Sequence, residues 1–178
     1  MSAGLPETLD AWRALAAGRS FTGKVPLRAM PRLCEALQEP DGDCEYALSF
    51  GRGALNLAHV EIAAQARLPL LCQRSLQRFL LPVAVAQKLA LLSSEGQEAS
   101  LPEGYEALLL AADGLVRPLD LIEDELILAL PVVAIDVAAA PLDAGVMVAA
   151  DAGAATDTRE NPFAVLANIK HHKQRDPS

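Results

Sequence analysis

The sequence predicts an α+β fold: an antiparallel β meander or partly closed barrel with two or three packed helices and a C-terminal helical arm. Three observations predict it. Between Tyr46 and Leu91, apolar residues recur at every second position in three stretches separated by short turn-like segments, which is the period of half-buried strands. Leu119, Ile122, Leu126 and Leu130 recur instead at helical spacing, behind Pro118 and in front of Pro131. Near the end, Asn161-Pro162 forms a helix start beyond a run rich in Ala, Gly and Asp.

Taken in order, Met30 to Leu37 reads as a short helix with Leu33 and Leu37 on one face. Tyr46, Leu48 and Phe50 alternate with Glu45, Ala47 and Ser49, giving a first strand, and Gly51-Arg52-Gly53 is the expected hairpin turn. From Leu55 the alternation resumes, with Val60, Ile62, Ala64, Ala66, Leu68 and Leu70 on one side, so a long, bent or bulged strand is expected. Beyond Cys72-Gln73-Arg74-Ser75 a third stretch sets Val83, Val85, Leu89 and Leu91 against Ala84, Ala86, Lys88 and Ala90. Three consecutive strands joined by short turns make an antiparallel meander.

Residues 93–104 are small, acidic and turn-forming, and predict an exposed loop, followed by a short strand at Ala107 to Leu110. The helix from Pro118 carries Asp120, Glu123, Asp124 and Glu125 in its early turns, where acids complement the helix dipole. Val132 to Val137 suggests one more strand. The domain reading is an α+β core over 1–137, a flexible acidic linker over 138–160, and a C-terminal helix with a basic tail over 161–178. In that last segment Asn161 is the N-cap and Pro162 the first helical residue, while Phe163, Leu166 and Ile169 supply apolar contacts. Lys170, Lys173 and Arg175 suit the helix C-terminus. A helix of about ten residues is marginal alone in water, so this one is expected to dock on a partner.

Composition narrows the function. The 178 residues suffice for one ordinary domain with a real core. Aromatics are only 4% of the chain, so base-stacking on rings is poorly supported. The opening residues lack a basic, then apolar, leader pattern, and no stretch reaches the roughly 20 apolar residues of a membrane span, so a cytoplasmic location and no membrane partner are expected. Cys34, Cys44 and Cys72 are odd in number and lack CxxC spacing, consistent with reduced thiols. The net charge of -8 is uneven: residues 95–160 hold 14 acids against 2 bases, whereas residues 1–94 hold 8 against 10. The acid that would repel nucleic acid is thus confined to the middle of the chain.

Catalytic and metal signals are weak. Asp120 and Asp124 share a helix face, but without a histidine ligand or a second acidic cluster they read as dipole partners rather than metal ligands. Cys72 paired with His59, His171 or His172 would be a thiol-imidazole couple, yet nothing local marks Cys72 as a nucleophile. There is no GxGxxG, Walker A or GxSxG sequence. No cofactor is expected. The tail Lys170-His171-His172-Lys173-Gln174-Arg175 offers cations to RNA phosphates.

Three segments in order resemble one family: Leu71-Cys72-Gln73-Arg74, then Leu121 to Val133 with its Glu123-Asp124-Glu125 core and Pro131, and Asn161-Pro162-Phe163-Ala164-Val165-Leu166-Ala167. The chain resembles the YceD family of large ribosomal RNA subunit accumulation proteins over roughly residues 20 to 172. The resemblance implies a bacterial cytoplasmic, non-enzymatic factor that promotes synthesis, processing or stability of 23S rRNA. Its expected partners are 23S rRNA or its precursor, large-subunit assembly proteins, or both; the oligomeric state is left open. The alternatives are a metal-dependent RNA-processing nuclease built on Asp120 to Glu125, or a protein-only adaptor. Many relatives carry Cys-x-x-Cys where this chain has Cys72 and Ser75, which removes the argument for a structural zinc here.

Overall fold

The computed structural model describes residues 4–53 and 56–137. The chain begins with a two-residue strand β1 (Leu9–Asp10) and helix α1 (Ala11–Ala16), then β2 (Ser20–Pro26), a 3-10 turn at Leu27–Ala29, and α2 (Pro31–Cys34). Three long strands follow: β3 (Asp43–Arg52), β4 (Ala58–Leu71) and β5 (Arg78–Leu92). A 3-10 segment at Glu95–Ser100 leads to β6 (Glu106–Leu109), β7 (Leu115–Val116) and helix α3 (Pro118–Leu128).

The main sheet has the order β2-β3-β4-β5-β6, and β1 pairs with β7 in a separate two-stranded sheet. Pairing is antiparallel from β2 to β5, as the meander predicts, but β6 runs parallel to β5. Residues 93–105 provide the crossover that a parallel neighbour demands. The barrel alternative is overturned for the described residues, because β2 and β6 are the two edges of an open sheet and do not pair with each other.

One face of this sheet carries the core. Phe21, Leu48, Phe50, Val60, Ile62, Ala64, Leu68, Leu89 and Leu91 are buried, together with Leu27, Met30 and Leu33 from the α2 region and Leu121, Ile122 and Leu126 from α3. Residues of the opposite parity, such as Glu61, Ala63, Gln65, Arg67, Ala84, Ala86 and Lys88, face solvent. The alternation read from β4 therefore marks a sheet covered on one side.

Several local expectations need correction. The α2 helix stops at Cys34 and continues only as turns, with Leu37 donating to the Cys34 carbonyl at 3.2 Å. Gly51 and Arg52 belong to β3 rather than to a turn, and beyond them Gly53 donates to the Leu57 carbonyl at 2.9 Å. No bulge interrupts β4, whose register to both neighbours is continuous. Its Pro69 lies beyond the last β3 partner at Gln65, so the missing N–H breaks no β3 bond. Val132 to Val137 is not a strand. Its backbone serves the β4-β5 turn instead: Gln73 donates to the Ala134 carbonyl at 2.8 Å and Arg74 Nη2 to the Asp136 carbonyl at 3.1 Å. The linker and C-terminal helix expectations lie outside the described residues.

Candidate functional site

Two of the motif acids of α3, Glu123 and Asp124, meet α2 at the corner between the two helices. Pro118 occupies the first turn of α3 and Asp120 is its early acid, so the helix starts as the sequence predicts. One turn on, Glu123 turns inward and is only 1% exposed. Its Oε1 accepts the Leu33 amide at 2.9 Å, and its Oε2 accepts Arg32 Nη2 at 3.1 Å and Nε at 3.2 Å. Arg32 Nη1 reaches Asp124 Oδ1 at 2.6 Å, so one guanidinium bridges two neighbouring acids. The hydrogen bonds that Arg32 donates to Asp124, then to Glu123, hold its pKa above the ordinary value. Asp120 pairs with Arg117 at 3.3 Å. Burial, assisted by the charges of Glu106 and Asp124, pushes the Glu125 carboxyl up.

The four acids that a metal-dependent nuclease would need are thus divided. Glu123 and Asp124 face Arg32, and Asp120 faces Arg117. Among the described residues no group of three or more His, Cys, Asp or Glu side chains is placed to hold a metal ion. The amphipathic pattern identified α3, but nothing in the local sequence identified Arg32 as the partner of its acids, because the pair is separated by 91 residues.

A second polar cluster crosses β4 and β5. Glu61 takes Lys88 at 3.2 Å and His59 Nε2 at 3.4 Å, and the Lys88 bond leads the causes that lower its pKa. His59 also meets Tyr105 edge-on at 5.5 Å between ring centroids. The Glu61–Lys88 contact follows from the register that places these residues opposite each other.

The hairpin tip holds Cys72. Its Sγ accepts the Asp136 amide at 3.3 Å and the Ser75 amide at 3.4 Å, tying the β4-β5 turn to the segment after α3. The Ser75 hydroxyl, then the Asp136 and Ser75 amides, draw its thiol pKa down to about 7. Cys44, by contrast, is pushed up to about 11 by burial. The imagined Cys72–His59 couple does not form: the residues stand at opposite ends of β4, roughly 40 Å apart at about 3.3 Å per strand residue. His171 and His172 lie outside the described residues, as do all the predicted partner-binding residues from Asn161 to Arg175.

Geometry defines the class first: a helix-covered, single-face α+β domain whose motif acids join helices to one another. No solved structure matches the chain. The family model described as large ribosomal RNA subunit accumulation protein YceD matches residues 60–170, more than half of the chain, and the chain belongs to that family. It is similar to the large ribosomal RNA subunit accumulation protein YceD of Haemophilus influenzae (strain ATCC 51907 / DSM 11121 / KW20 / Rd), with 28% identity over 172 residues, covering 93% of this chain and 96% of the relative. No helix among the described residues is long and apolar enough to cross a membrane.

Proposed function

We propose that this protein is a non-catalytic, cytoplasmic ribosome-biogenesis factor that supports synthesis, processing or stability of 23S rRNA. Its partners are the rRNA or its precursor and large-subunit assembly proteins. The family match over residues 60–170 supports the rRNA link. The observation that carries the non-catalytic part is the burial of Glu123 against Leu33 and Arg32, which makes the acidic motif a brace between α2 and α3. The segment with Asn161, Pro162, Phe163, Leu166, Ile169, Lys170, Lys173 and Arg175 is the proposed partner-binding arm, on the strength of its cap, apolar stripe and basic end.

Two strains test this: cells lacking the protein, complemented with the full chain or with a chain ending at residue 158. The truncated chain is expected to lower mature 23S rRNA relative to 16S rRNA while its core unfolds at the parent's denaturant midpoint. Equal 23S rRNA in the two strains would sink the assignment to the arm. Incubating the purified chain with precursor rRNA and Mg²⁺ addresses the nuclease. Cleavage that disappears in D120A/D124A would replace the proposed function.

A protein-only adaptor is the second reading, and one observation favours it. Of the eleven large hydrophobic residues that are exposed among the described residues, eight (Leu71, Leu76, Leu80, Leu128, Val132, Val133, Ile135 and Val137) fall in the hairpin-tip region and the segment that begins at the end of α3. The hydrogen bonds from Gln73 and Arg74 pin those two segments together. Clustered apolar exposure of this kind marks protein contact surfaces.

A further inference from the structure

We infer that the hollow beside α1 and the start of β2 seats phosphate groups of RNA on Arg13 and Arg19; this deepens the proposed rRNA role and rests on it. Five of the eleven Lys and Arg side chains among the described residues face acids: Lys24 faces Glu45, Arg32 faces Glu123 and Asp124, Arg78 faces Asp41, Lys88 faces Glu61, and Arg117 faces Asp120. The guanidinium groups of Arg13 and Arg19 have no carboxylate partner among the described residues, in a chain with 23 acids and 15 bases.

Both arginines line one hollow of about 590 Å³, within the size range of small-molecule sites. Asp10 is the acid of that hollow, and its Oδ1 accepts the Arg13 amide at 2.9 Å, capping α1. The Arg19 guanidinium lies 5.2 Å from the Phe21 ring centroid, a contact that steadies the head group without neutralising it. The Arg19 carbonyl accepts the Phe50 amide at 2.9 Å, and Arg52 follows two residues later, adding a third cation to this end of the sheet. Trp12, beside Arg13, is 37% exposed.

The chemistry favours phosphate. Guanidinium groups present planar forks of N–H donors that match phosphate oxygens, and they stay charged at every relevant pH. An RNA backbone brings phosphates in series, so two arginines in one hollow engage it together, and binding gains from the counterions released.

Trp12 is the one tryptophan of the chain and adjoins Arg13 in α1, so its fluorescence is the probe used for binding near this hollow, beside a direct measurement of RNA affinity. The full chain, titrated with a precursor 23S rRNA fragment, is expected to give a saturable change in emission, with affinity falling as salt rises. R13Q/R19Q should keep the parent's unfolding midpoint. Its salt slope should be shallower by about 1.4, at about 0.7 per phosphate contact on a single strand. Carried from 1 M to 0.1 M salt, that slope difference is a loss of roughly 25-fold in affinity. R13K/R19K, which keeps the charge but not the planar fork, should keep the parent's salt slope while losing part of the affinity. Undiminished RNA affinity in R13Q/R19Q overturns the seat. So does a Trp12 response saturated by inorganic phosphate with no gain from RNA, or reproduced by poly-glutamate. In cells lacking the protein, equal rescue of 23S rRNA by R13Q/R19Q and wild type removes the seat and leaves the proposed role standing. Failure of the wild-type chain to rescue removes the role, and the assignment to rRNA with it.

Discussion

Arg32 and Glu123 join α2 to α3 through a carboxylate that is 1% exposed and an arginine whose side chain is half exposed. The asymmetry decides which partner matters more. Glu123 depends on Arg32 and on the Leu33 amide for all its compensation, whereas Arg32 keeps Asp124 and water. Removing one partner of a buried charge pair leaves the other uncompensated. Arg32→Ala, which leaves the buried Glu123 carboxylate without its cation, is therefore expected to cost about 3 kcal/mol in urea unfolding. Glu123→Ala should destabilise less, because Arg32 keeps Asp124 and water, and the double variant should lose less than the sum of the two, which a double-mutant cycle would measure. Strict additivity would show that the two side chains do not act as a unit.

Cys72 makes a pH-dependent link. The Ser75 hydroxyl and the amides of Asp136 and Ser75 favour its thiolate and outweigh burial, so its pKa falls to about 7 from an ordinary 9.0. A lowered acid pKa means that the folded state binds fewer protons than the unfolded one between those values. The resulting stabilisation is fully present above pH 9.0 and is lost as pH falls through about 7. The denaturant midpoint of the wild type should rise relative to that of Cys72→Ser between pH 6 and pH 9. Parallel midpoints across that range would remove the thiolate from the hairpin-tip contact.

The long strands were legible because one side of the sheet is covered and the other wet, which stamps a period of two on β3 and β4. The helix α3 was legible for the same reason at its own period. What escaped were features made by contacts distant in sequence. β2 reads poorly because Gly23 and Pro26 interrupt it, and it exists through its register with β3 from Ser20↔Ser49 to Pro26↔Asp43. Val132 to Val137 carries strand-forming residues, yet Val132 is 97% exposed and the backbone bonds to a hairpin turn. Nothing around Arg32 marks its role, since that role depends on a helix that begins 86 residues further on. Arg13 and Arg19 carry no motif of their own, and their shared hollow appears only once residues 8–19 fold into β1, α1 and the turn before β2.

Gly114 supports Trp12. It adopts φ +66°, and an added Cβ would come within 2.8 Å of Trp12 Cδ1, so both backbone and packing require glycine. Gly114→Ala is expected to cost more than about 1 kcal/mol, since alanine fits poorly at positive φ. Because the indole must move, the emission maximum of the single tryptophan should shift in the folded variant. An unshifted spectrum with unchanged stability would place Trp12 away from this glycine.

Leu76 sits at the hairpin tip with φ +56° and 72% of its surface exposed. A leucine in the left-handed region costs roughly 1–2 kcal/mol, and here little burial offsets that cost. Asparagine tolerates the same backbone and is well suited to a turn. Leu76→Asn is accordingly expected to raise stability by about 0.5–1 kcal/mol, read as a higher urea midpoint with unchanged slope. An exposed apolar side chain held on a strained backbone gives up stability at a place where the chain gathers its other exposed apolar residues. If that end docks a large-subunit assembly protein, Leu76→Asn should weaken recovery of the protein partner from RNase-treated extracts while leaving the Trp12 response to rRNA unchanged. A more stable variant with undiminished recovery would mean that the strain serves only the turn, and the adaptor reading would lose its best-placed residue.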